Sequence, residues 1–210
     1  MITEHSVYIG ASQHMTHTED NSIDLVVTSP PYPMIEMWDD IMSKQNHRIA
    51  DKLEENPEDA FELMHQELDK VWKECFRVLK VGGFICINIG DATRTINGNF
   101  ALYNNHSRIS KACVDLGFVG LPNIIWRKQT NAPNKFMGSG MLPCGAYVTL
   151  EHEWILIFRK GGKREFKKAD EKLSRMKSSF FWEERNVWFS DIWDVKGTKQ
   201  KMRKDSSRER

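Results

Sequence analysis

The sequence predicts an α/β fold built on a mostly parallel sheet that is covered on both faces. Two observations lead to this fold class. The runs Phe84–Ile89 and Ile155–Phe158 are almost entirely apolar and rich in β-branched residues, and segments with helical periodicity separate such runs. Nearly continuous apolar strands are typical of sheets buried on both sides, and strands alternating with helices are typical of parallel α/β domains. A length of 210 residues suits one such domain.

The first third of the chain contains two predicted strands and one long predicted helix. Val7–Ile9 and Ile23–Val27 are β-prone, and the prolines after the second run prevent its continuation. Asn56 and Pro57 are suited to the cap and first position of a helix. Apolar residues then recur at steps of three and four, which predicts one wide buried helix face that ends at Gly82–Gly83; they are Phe61, Met64, Leu68, Val71, Trp72, Cys75, Val78 and Leu79.

The remaining elements follow the same logic as far as residue 160. Phe84–Ile89 is a strand that Gly90–Asp91 ends, and a second helix precedes Gly117, with its apolar face at Ile109, Ala112, Cys113 and Leu116. Strands are then predicted over Val119–Trp126 and Glu153–Phe158, separated by a loop rich in Gly, Pro and Asn over Gln129–Gly145. Beyond Gly161–Gly162 the regular alternation ceases.

The composition excludes disordered and membrane-spanning classes. Hydrophobic residues make up 40% of the chain and charged residues 28%, and no apolar run approaches the ~20 residues of a membrane span. The N-terminus lacks the basic start and apolar stretch of a signal peptide, so we expect a cytoplasmic protein. The four cysteines form no CxxC pair and have no His at ligand spacing, which predicts buried, reduced thiols and no metal site.

The net charge of +1 conceals a strong asymmetry along the chain. Residues 1–158 carry 13 Lys and Arg against 20 Asp and Glu, whereas residues 159–210 carry 17 against 9. A basic segment of this kind is either a solvated end or a surface that binds phosphates. The sequence therefore divides into an acidic body and a basic C-terminal segment.

The motif most informative about chemistry is Ser29-Pro30-Pro31-Tyr32, which directly follows the predicted strand Ile23–Val27. Open α/β sheets place their ligands at the carboxyl ends of strands, where this motif lies. Its alternative interpretation is a polyproline turn that only closes the strand. At this point the sequence resembles the amino-methyltransferases of DNA, whose signature is Asp, Asn or Ser followed by Pro-Pro and an aromatic residue.

The resemblance extends over residues 7–160. It includes Tyr8–Gly10, Arg77–Gly83 with the strand after it and Asp91, Ile124–Lys128, and Val148–Phe158. The order is that of the circularly permuted class, in which the catalytic half precedes the cofactor half. The resemblance implies a Rossmann-like methyltransferase sheet, incomplete in this chain, with a catalytic half over residues 1–160 and a target-recognition segment and tail over 161–210.

The resemblance also implies a reaction and a catalytic site, formed by Ser29, Pro30, Pro31 and Tyr32. An exocyclic base amine is a poor nucleophile because its lone pair is conjugated with the ring. In the family, the first motif side chain and the next backbone carbonyl accept the amine hydrogens, which here are Ser29 Oγ and the Pro30 carbonyl. Tyr32 would stack on a flipped base, and S-adenosylmethionine would supply the methyl group. Serine in the first position favours N4 of cytosine, with N6 of adenine as the alternative.

The family's cofactor motif, Phe-x-Gly-x-Gly, lies in a turn between a strand and a helix, and the sequence does not place the motif in that setting, because the one matching string, Phe136-Met-Gly138-Ser-Gly140, lies in a loop with no predicted strand before it. Gly10, Ser12 and Asp91 are the cofactor-binding candidates, although Ala11 stands where the family has an acid. We therefore expect either a split enzyme, whose second polypeptide carries the glycine motif, or a truncated or degenerate copy. Half a sheet would expose an apolar edge that a partner or a second copy, in a homodimer, would cover.

The basic segment occupies the place of the family's target-recognition region, so the expected partner is double-stranded DNA. Six cations are the DNA-binding candidates: Lys163, Arg164, Lys167, Lys168, Arg175 and Lys177. The aromatic residues that follow, from Phe180 to Trp193, either contact bases or form a small satellite core, and we expect the core. A catalytically silent DNA-binding or regulatory subunit of the same fold is the competing function.

Overall fold

A computed structural model describes residues 3–128, 137–138 and 142–196 of the chain. The α-helices are α1 Asp39–Gln45, α2 Arg48–Glu55, α3 Pro57–Val78, α4 Asn105–Asp115, α5 Ala169–Lys177 and α6 Trp182–Trp188. The strands are β1 Ile23–Thr28, β2 Leu79–Ile89, β3 Ala92–Ile96, β4 Asn99–Tyr103, β5 Phe118–Gly120, β6 Ile124–Arg127, β7 Met137–Gly138, β8 Ala146–Tyr147, β9 His152–Lys160 and β10 Ile192–Trp193.

The main sheet has six strands in the order β1-β2-β9-β6-β10, with β5 paired to β9. The pairs β1/β2 and β6/β10 are parallel, whereas β9 runs antiparallel to β2, β5 and β6. The prediction of an α/β fold is confirmed, but a mostly parallel sheet is wrong, since the sheet is mixed. The reason is that β9 lies between β2 and β6 and runs against both, which no local sequence pattern encodes.

Helix α3 forms the centre of the core, as the apolar periodicity predicts. Trp72, Met64 and Leu68 are buried on one side of it, together with Ile85 and Ile87 of β2. Asn56 occupies the N-cap position, although its side chain makes no capping hydrogen bond. Burial of this face, rather than the cap, therefore stabilises the helix.

The two faces of the main sheet differ in how they are covered. Ile85, Ile87 and Ile89 of β2 are fully buried against the helices. On the other face, the paired residues Leu25 and Phe84 are 54% and 39% exposed, and Val27 beside them is 74% exposed. Coverage of both faces is therefore a wrong prediction for the described residues, and this second face is called the open face below. The predicted apolar exposure is confirmed, and it extends from the edge strand β1 into β2.

Three of the predicted element boundaries are wrong. Helix α3 ends at Val78 rather than at Gly82–Gly83, because Leu79 turns extended and pairs with Ile23. Gly82, with a φ of 82°, lies instead in β2, where a Cβ atom would come 2.8 Å from Arg164. The predicted strand Val119–Trp126 is split into β5 and β6. Both β5 and β6 pair with β9, at different positions along this longer strand.

The N-terminal residues form no strand, contrary to the prediction for Val7–Ile9. Val7 and Ile9 are exposed, and a β-prone run remains irregular when no neighbouring strand pairs with it. The following residues instead attach to α3: Arg77 donates hydrogen bonds to the carbonyl oxygens of Met15 and Thr18 at 3.0 and 2.9 Å. The N-terminal segment is therefore held by side chains rather than by the sheet.

The cysteines differ in burial. Cys75 and Cys113 are buried, and burial raises the pKa of the Cys75 thiol to about 12. Cys86 is half-buried and Cys144 is exposed, so the prediction of buried thiols is wrong for Cys144. Among the described residues, no group of three or more His, Cys, Asp and Glu side chains is placed to hold a metal ion, and no helix is long and apolar enough to cross a bilayer.

Candidate functional site

The Ser29–Tyr32 loop leaves the sheet at the carboxyl end of β1. Ser29 is exposed, while Pro30 behind it is buried. The loop ends in Met34, a buried residue with a φ of 65°, whose backbone N–H lies 3.4 Å from Met64 Sδ. A left-handed conformation is unfavourable for methionine and persists only where the surroundings enforce it. The loop is therefore a rigid structure anchored in the core.

Two strands bring polar side chains to this loop. Asn88 lies near the carboxyl end of β2, and Glu153 lies at the start of the antiparallel strand β9. The Tyr32 hydroxyl donates a hydrogen bond to Glu153 Oε2 at 3.0 Å and accepts one from Asn88 Nδ2 at 2.8 Å. Ser29 Oγ lies 3.2 Å from the same hydroxyl, so the two polar motif side chains and two sheet residues form one network.

Lys128, which follows β6, binds the carboxylate oxygen of Glu153 that Tyr32 does not contact. Its ammonium group lies 2.5 Å from Glu153 Oε1 and 4.3 Å from the centre of the Trp126 ring. Gly90 lies directly against the network, because a Cβ atom there would come within 3.2 Å of the Tyr32 ring and 3.4 Å of Glu153. The side chains of Tyr32 and Glu153 thus occupy the space that a larger residue at position 90 would fill.

Burial raises the pKa of the Tyr32 phenol well above its usual value, and the nearby Glu153 carboxylate raises it further, although the hydrogen bond with Ser29 acts in the opposite direction. The phenol is therefore protonated at any physiological pH. Because the carboxylate can only accept, the single phenolic proton points to Glu153.

Behind the loop, a buried amide connects it to the end of β2. Asn105, fully buried at the start of α4, donates hydrogen bonds to the carbonyl oxygens of Pro33 at 3.1 Å and Gly90 at 2.9 Å. Its Oδ1 lies 3.0 Å from Nε2 of His65, which is fully buried on α3. This arrangement, called the Asn105 clamp, links Pro33, the residue after the motif, to Gly90, which borders the site.

Burial lowers the pKa of His65 to about 4, so its ring is neutral near pH 7. The neutral ring donates its Nε2 proton to Asn105, and its buried Nδ1 has no hydrogen-bond partner among the described residues. The neutral tautomer with its proton on Nε2 is thus the form that donates to the clamp.

Asp91, a predicted cofactor residue, is placed beside α4. His106 donates to it from its backbone N–H at 3.1 Å, and its ring Nδ1 lies 2.7 Å from Asp91 Oδ2. Burial opposes ionisation of this carboxyl group, but the bonds from His106 outweigh it and hold the pKa of Asp91 below its usual range. The His106 ring also stacks on Trp154 at 4.4 Å. Because Trp154 and Glu153 are adjacent in a strand, they point to opposite faces, and Asp91 is not joined to the Tyr32 network.

The other cofactor candidates are not enclosed by the described residues. Gly10 is exposed, and a Cβ atom added to it would have no neighbour within 4 Å. Ser12 is also exposed, and of Gly138–Gly140 the structure describes only the backbone of Gly138. The described part of the chain therefore forms no glycine cradle for a cofactor.

The predicted DNA-binding cations are spread along the C-terminal segment. Arg164 pairs with Asp24 at the start of β1, roughly 16 Å along the strand from Ser29 at ~3.3 Å per residue. Lys167 pairs with Glu165 at 2.9 Å, and Arg175 lies over the Phe166 ring at 5.0 Å. Lys163, Lys168 and Lys177 are exposed. The Arg164 contact with Asp24 anchors the segment at the end of β1 opposite Ser29.

The end of this segment returns to the candidate site. Strand β10 pairs parallel to β6, and Trp193 lies beside Trp126, which in turn pairs with Glu153. Trp126 Nε1 donates to the carbonyl oxygen of Val195 at 2.7 Å. The expected satellite core is wrong for the aromatic residues before β10, since all of them are exposed: Phe180, Phe181, Trp182, Trp188 and Phe189. Their contacts are with one another and with charged side chains: Phe180 packs edge-on against Phe189 at 5.2 Å, and Arg185 lies over the Trp182 ring at 5.4 Å.

Sequence reasoning missed Asn88, Glu153, Lys128, Asn105 and His65. Asn88 had a local signal, because it is the single strongly polar residue inside the apolar run Phe84–Ile89. A polar residue in a buried strand requires a partner and often marks a site. Glu153 and Lys128 had no such signal, since their roles depend on the position of β9 between β2 and β6.

The α/β fold, with this loop at the carboxyl end of a strand, is of the Rossmann-like methyltransferase type, and comparisons with known proteins agree. A family model described as DNA methylase, of the N6 and N4 types, matches residues 23–209. The chain belongs to this DNA methylase family.

Two curated relatives are Type II methyltransferases. The chain is 53% identical over 213 residues to M.MthZI of Methanothermobacter thermautotrophicus, which covers 100% of this chain and 60% of that protein. It is 50% identical to M.MjaI of Methanocaldococcus jannaschii over 94% of this chain and 69% of the relative. The chain thus spans about two thirds of the length of these relatives.

Two solved structures share the fold. TTHA0409, a putative DNA modification methylase from Thermus thermophilus complexed with S-adenosyl-L-methionine, is 30% identical with a TM-score of 0.66, over 89% of this chain and 66% of that one. The PvuII DNA methyltransferase, described as cytosine-N4-specific, is 16% identical with a TM-score of 0.54, over 92% of this chain and 58% of that one. The second likeness concerns the fold alone.

Proposed function

We propose that this chain forms the amine-activating and target-recognition part of a DNA methyltransferase of a restriction–modification system, and that the methylated group is N4 of cytosine. The observation that carries the proposal is the Ser29 hydroxyl, held at the carboxyl end of β1 within 3.2 Å of a fixed Tyr32. Family membership and the Type II relatives support DNA as the substrate.

The chemistry assigned to the chain is activation of a weak nucleophile. Ser29 Oγ and the Pro30 carbonyl oxygen accept the two hydrogens of the base amine, which draws the nitrogen toward a tetrahedral, nucleophilic geometry. Pro30 is buried and its φ is fixed by the ring, so its carbonyl loses little freedom when a base binds. The nitrogen would gain a methyl group as the bond between that group and the sulfonium sulfur of the donor breaks, which leaves a neutral thioether, and it would give up one proton to water.

Tyr32 is assigned the role of stacking against the extruded base, which offsets part of the few kcal/mol that unstacking costs. S-adenosylmethionine, bound by the relative TTHA0409, supplies the methyl group in this proposal. The described residues fit the amine side of the reaction, while the cofactor candidates Gly10, Ser12 and Asp91 form no enclosed site among them.

We further propose that a polypeptide carrying the glycine motif covers the open face of the sheet. Asn88 and Glu153 belong to the same face as the exposed Leu25 and Val27, so a polypeptide on that face would also border the candidate site. The exposed apolar area supports a permanent contact rather than a solvated surface. The basic segment, with Lys163, Lys168 and Lys177 exposed, is assigned to the DNA backbone.

Mixing experiments test whether a second polypeptide is needed. We expect no radiolabel transfer from S-adenosylmethionine to unmethylated DNA with the chain alone, and transfer when the part of M.MthZI outside the matched region is added. Label in both samples contradicts the need for a partner. DNA binding without label in either sample contradicts the methyltransferase proposal and favours the silent subunit.

Replacing Ser29 by Ala is expected to lower methyl transfer by on the order of 100-fold, because the amine loses one of its two acceptors. Ser43→Ala on α1, outside the Tyr32 network, is the matched control and should retain the parent rate. Mass spectrometry of the digested DNA distinguishes N4-methylcytosine from N6-methyladenine. Parent-like activity of Ser29→Ala would overturn the assigned chemistry, and N6-methyladenine as the product would overturn only the choice of base.

A further inference from the structure

We infer that Glu153 is a positioning residue that acts through Tyr32 to direct the hydroxyl proton of Ser29 away from the substrate amine. This inference rests on the proposed function and adds a role for a residue outside the motif. It depends on the direction of three hydrogen bonds that meet at one phenol oxygen.

The first step concerns the phenolic proton of Tyr32. A phenol has one proton, and the Glu153 carboxylate, 3.0 Å away, can only accept it. Lys128 holds Oε1 of the same carboxylate, and Asn88 Nδ2 donates to Oε2 at 2.7 Å. With two donors of its own, the carboxylate is fixed in orientation, and the Tyr32 proton is committed to it.

The second step concerns Ser29. Since the Tyr32 proton is committed to Glu153, the phenol oxygen can only accept from its other neighbours. Asn88 Nδ2 provides one donor at 2.8 Å, and Ser29 Oγ at 3.2 Å provides the other. The Ser29 proton therefore points to Tyr32, and both lone pairs of Oγ face the exposed side where an amine would lie.

The alternative orientation shows what the network prevents. If the Tyr32 proton pointed to Ser29, one lone pair of Oγ would be occupied, and the serine would offer its own proton to the amine. A proton facing the amine hydrogens would repel them, and the amine would no longer be activated as a nucleophile. The Glu153 carboxylate thus makes Ser29 an acceptor, a state that an aspartate in the first motif position has without help.

This interpretation also explains why the aromatic motif residue is a tyrosine. The hydrogen bonds from Ser29 through Tyr32 to Glu153 form a relay. Stacking requires only an aromatic ring, whereas this relay requires the tyrosine hydroxyl. The three contacts at the tip of the ring belong to the loop, to β2 and to β9, so they fix the ring orientation as well as the proton. Gly90 leaves the room that this arrangement needs, with its would-be Cβ 3.2 Å from the ring.

A double-mutant cycle in the preparation that methylates DNA tests the inference. In Glu153→Gln, Lys128 keeps an oxygen on its own side, so the amide nitrogen faces Tyr32 and reverses the relay. We expect kcat to fall about 10-fold while the KM for DNA changes less than about 2-fold. In a Tyr32→Phe background, where no relay exists, the same Glu153→Gln change should alter kcat by less than about 2-fold.

The matched control is Glu151→Gln, which removes the same charge two residues away from an exposed side chain that lies 3.6 Å from Arg127. It should leave kcat unchanged in both backgrounds. Equal losses from Glu153→Gln with Tyr32 and with Phe at position 32 would overturn the relay, and so would an unchanged kcat in the single variant.

Two further measurements separate this inference from folding and from the proposed function. If Glu153→Gln does not fold, Tyr32→Phe alone carries the test: Asn88 still donates to Glu153, and kcat should fall at an unchanged KM, so an unchanged kcat overturns the inference. Ser29→Ala is assayed in parallel. Full activity of that variant overturns the proposed function, whereas its inactivity together with an additive cycle overturns only the relay.

Discussion

Replacing Asn105 by Ala is expected to lower the free energy of unfolding by about 3 to 4 kcal/mol. The substitution removes both donors of the clamp and leaves the carbonyl oxygens of Pro33 and Gly90, and the Nε2 proton of His65, without their partner. Each buried polar group left unpaired costs about 1 to 3 kcal/mol, and the smaller side chain leaves a cavity in addition. Urea denaturation measures the difference.

The neighbouring Asn104 offers a matched control for this prediction. It carries the same side chain, is exposed, and makes no capping hydrogen bond at the start of α4. Asn104→Ala should therefore change the free energy of unfolding by less than about 0.5 kcal/mol. Similar losses for the two variants would show that the clamp does not stabilise the fold. A loss confined to Asn105→Ala would show that the clamp stabilises the fold.

Acid is expected to destabilise the fold through His65. Its pKa is about 4 in the folded chain and about 6.5 when unfolded, because burial opposes the charged ring. Between these values the unfolded state binds a proton that the folded state does not. The free energy of unfolding therefore falls as the pH drops from about 6.5 to 4, by up to about 3 kcal/mol, and this contribution is constant below pH 4.

The measurement is the change in unfolding free energy between pH 7 and pH 4.5, for the parent and for His65→Gln. Glutamine can still donate to Asn105 but does not titrate, so the variant should lose about 2 to 3 kcal/mol less than the parent. His47→Gln, at an exposed position before α2, should keep the full pH dependence. An identical pH dependence in the parent and in His65→Gln would contradict a neutral, buried His65.

The two predictions concern residues that local sequence did not mark. His65 lies on the apolar face of α3, where its ring is one more buried side chain. Asn105 stands at the start of a helix, where asparagine is common for local reasons. Their importance arises because α3 and α4 pack together behind the motif loop, so that one amide reaches the backbone of two separate segments.

Several errors in the sequence-based prediction have the same origin. Val7–Ile9 has the composition of a strand but no strand to pair with, and Gly82–Gly83 has the composition of a helix end but lies within β2. The aromatic residues near α6 have the composition of a core but are exposed. In each case the residue type suited one local structure, and the available neighbours determined another.

The sequence by itself determined the strands of the sheet centre, the long helix and the Ser29–Tyr32 motif, because strand and helix periodicity and proline geometry are properties of consecutive residues. Only the tertiary structure decided the strand order, the open face and the setting of the motif. Tyr32 and Glu153 are 121 residues apart in the chain and share a hydrogen bond because β9 lies beside β2. Such contacts depend on which strands pair, and pairing is determined by the packing of the whole sheet rather than by any one segment.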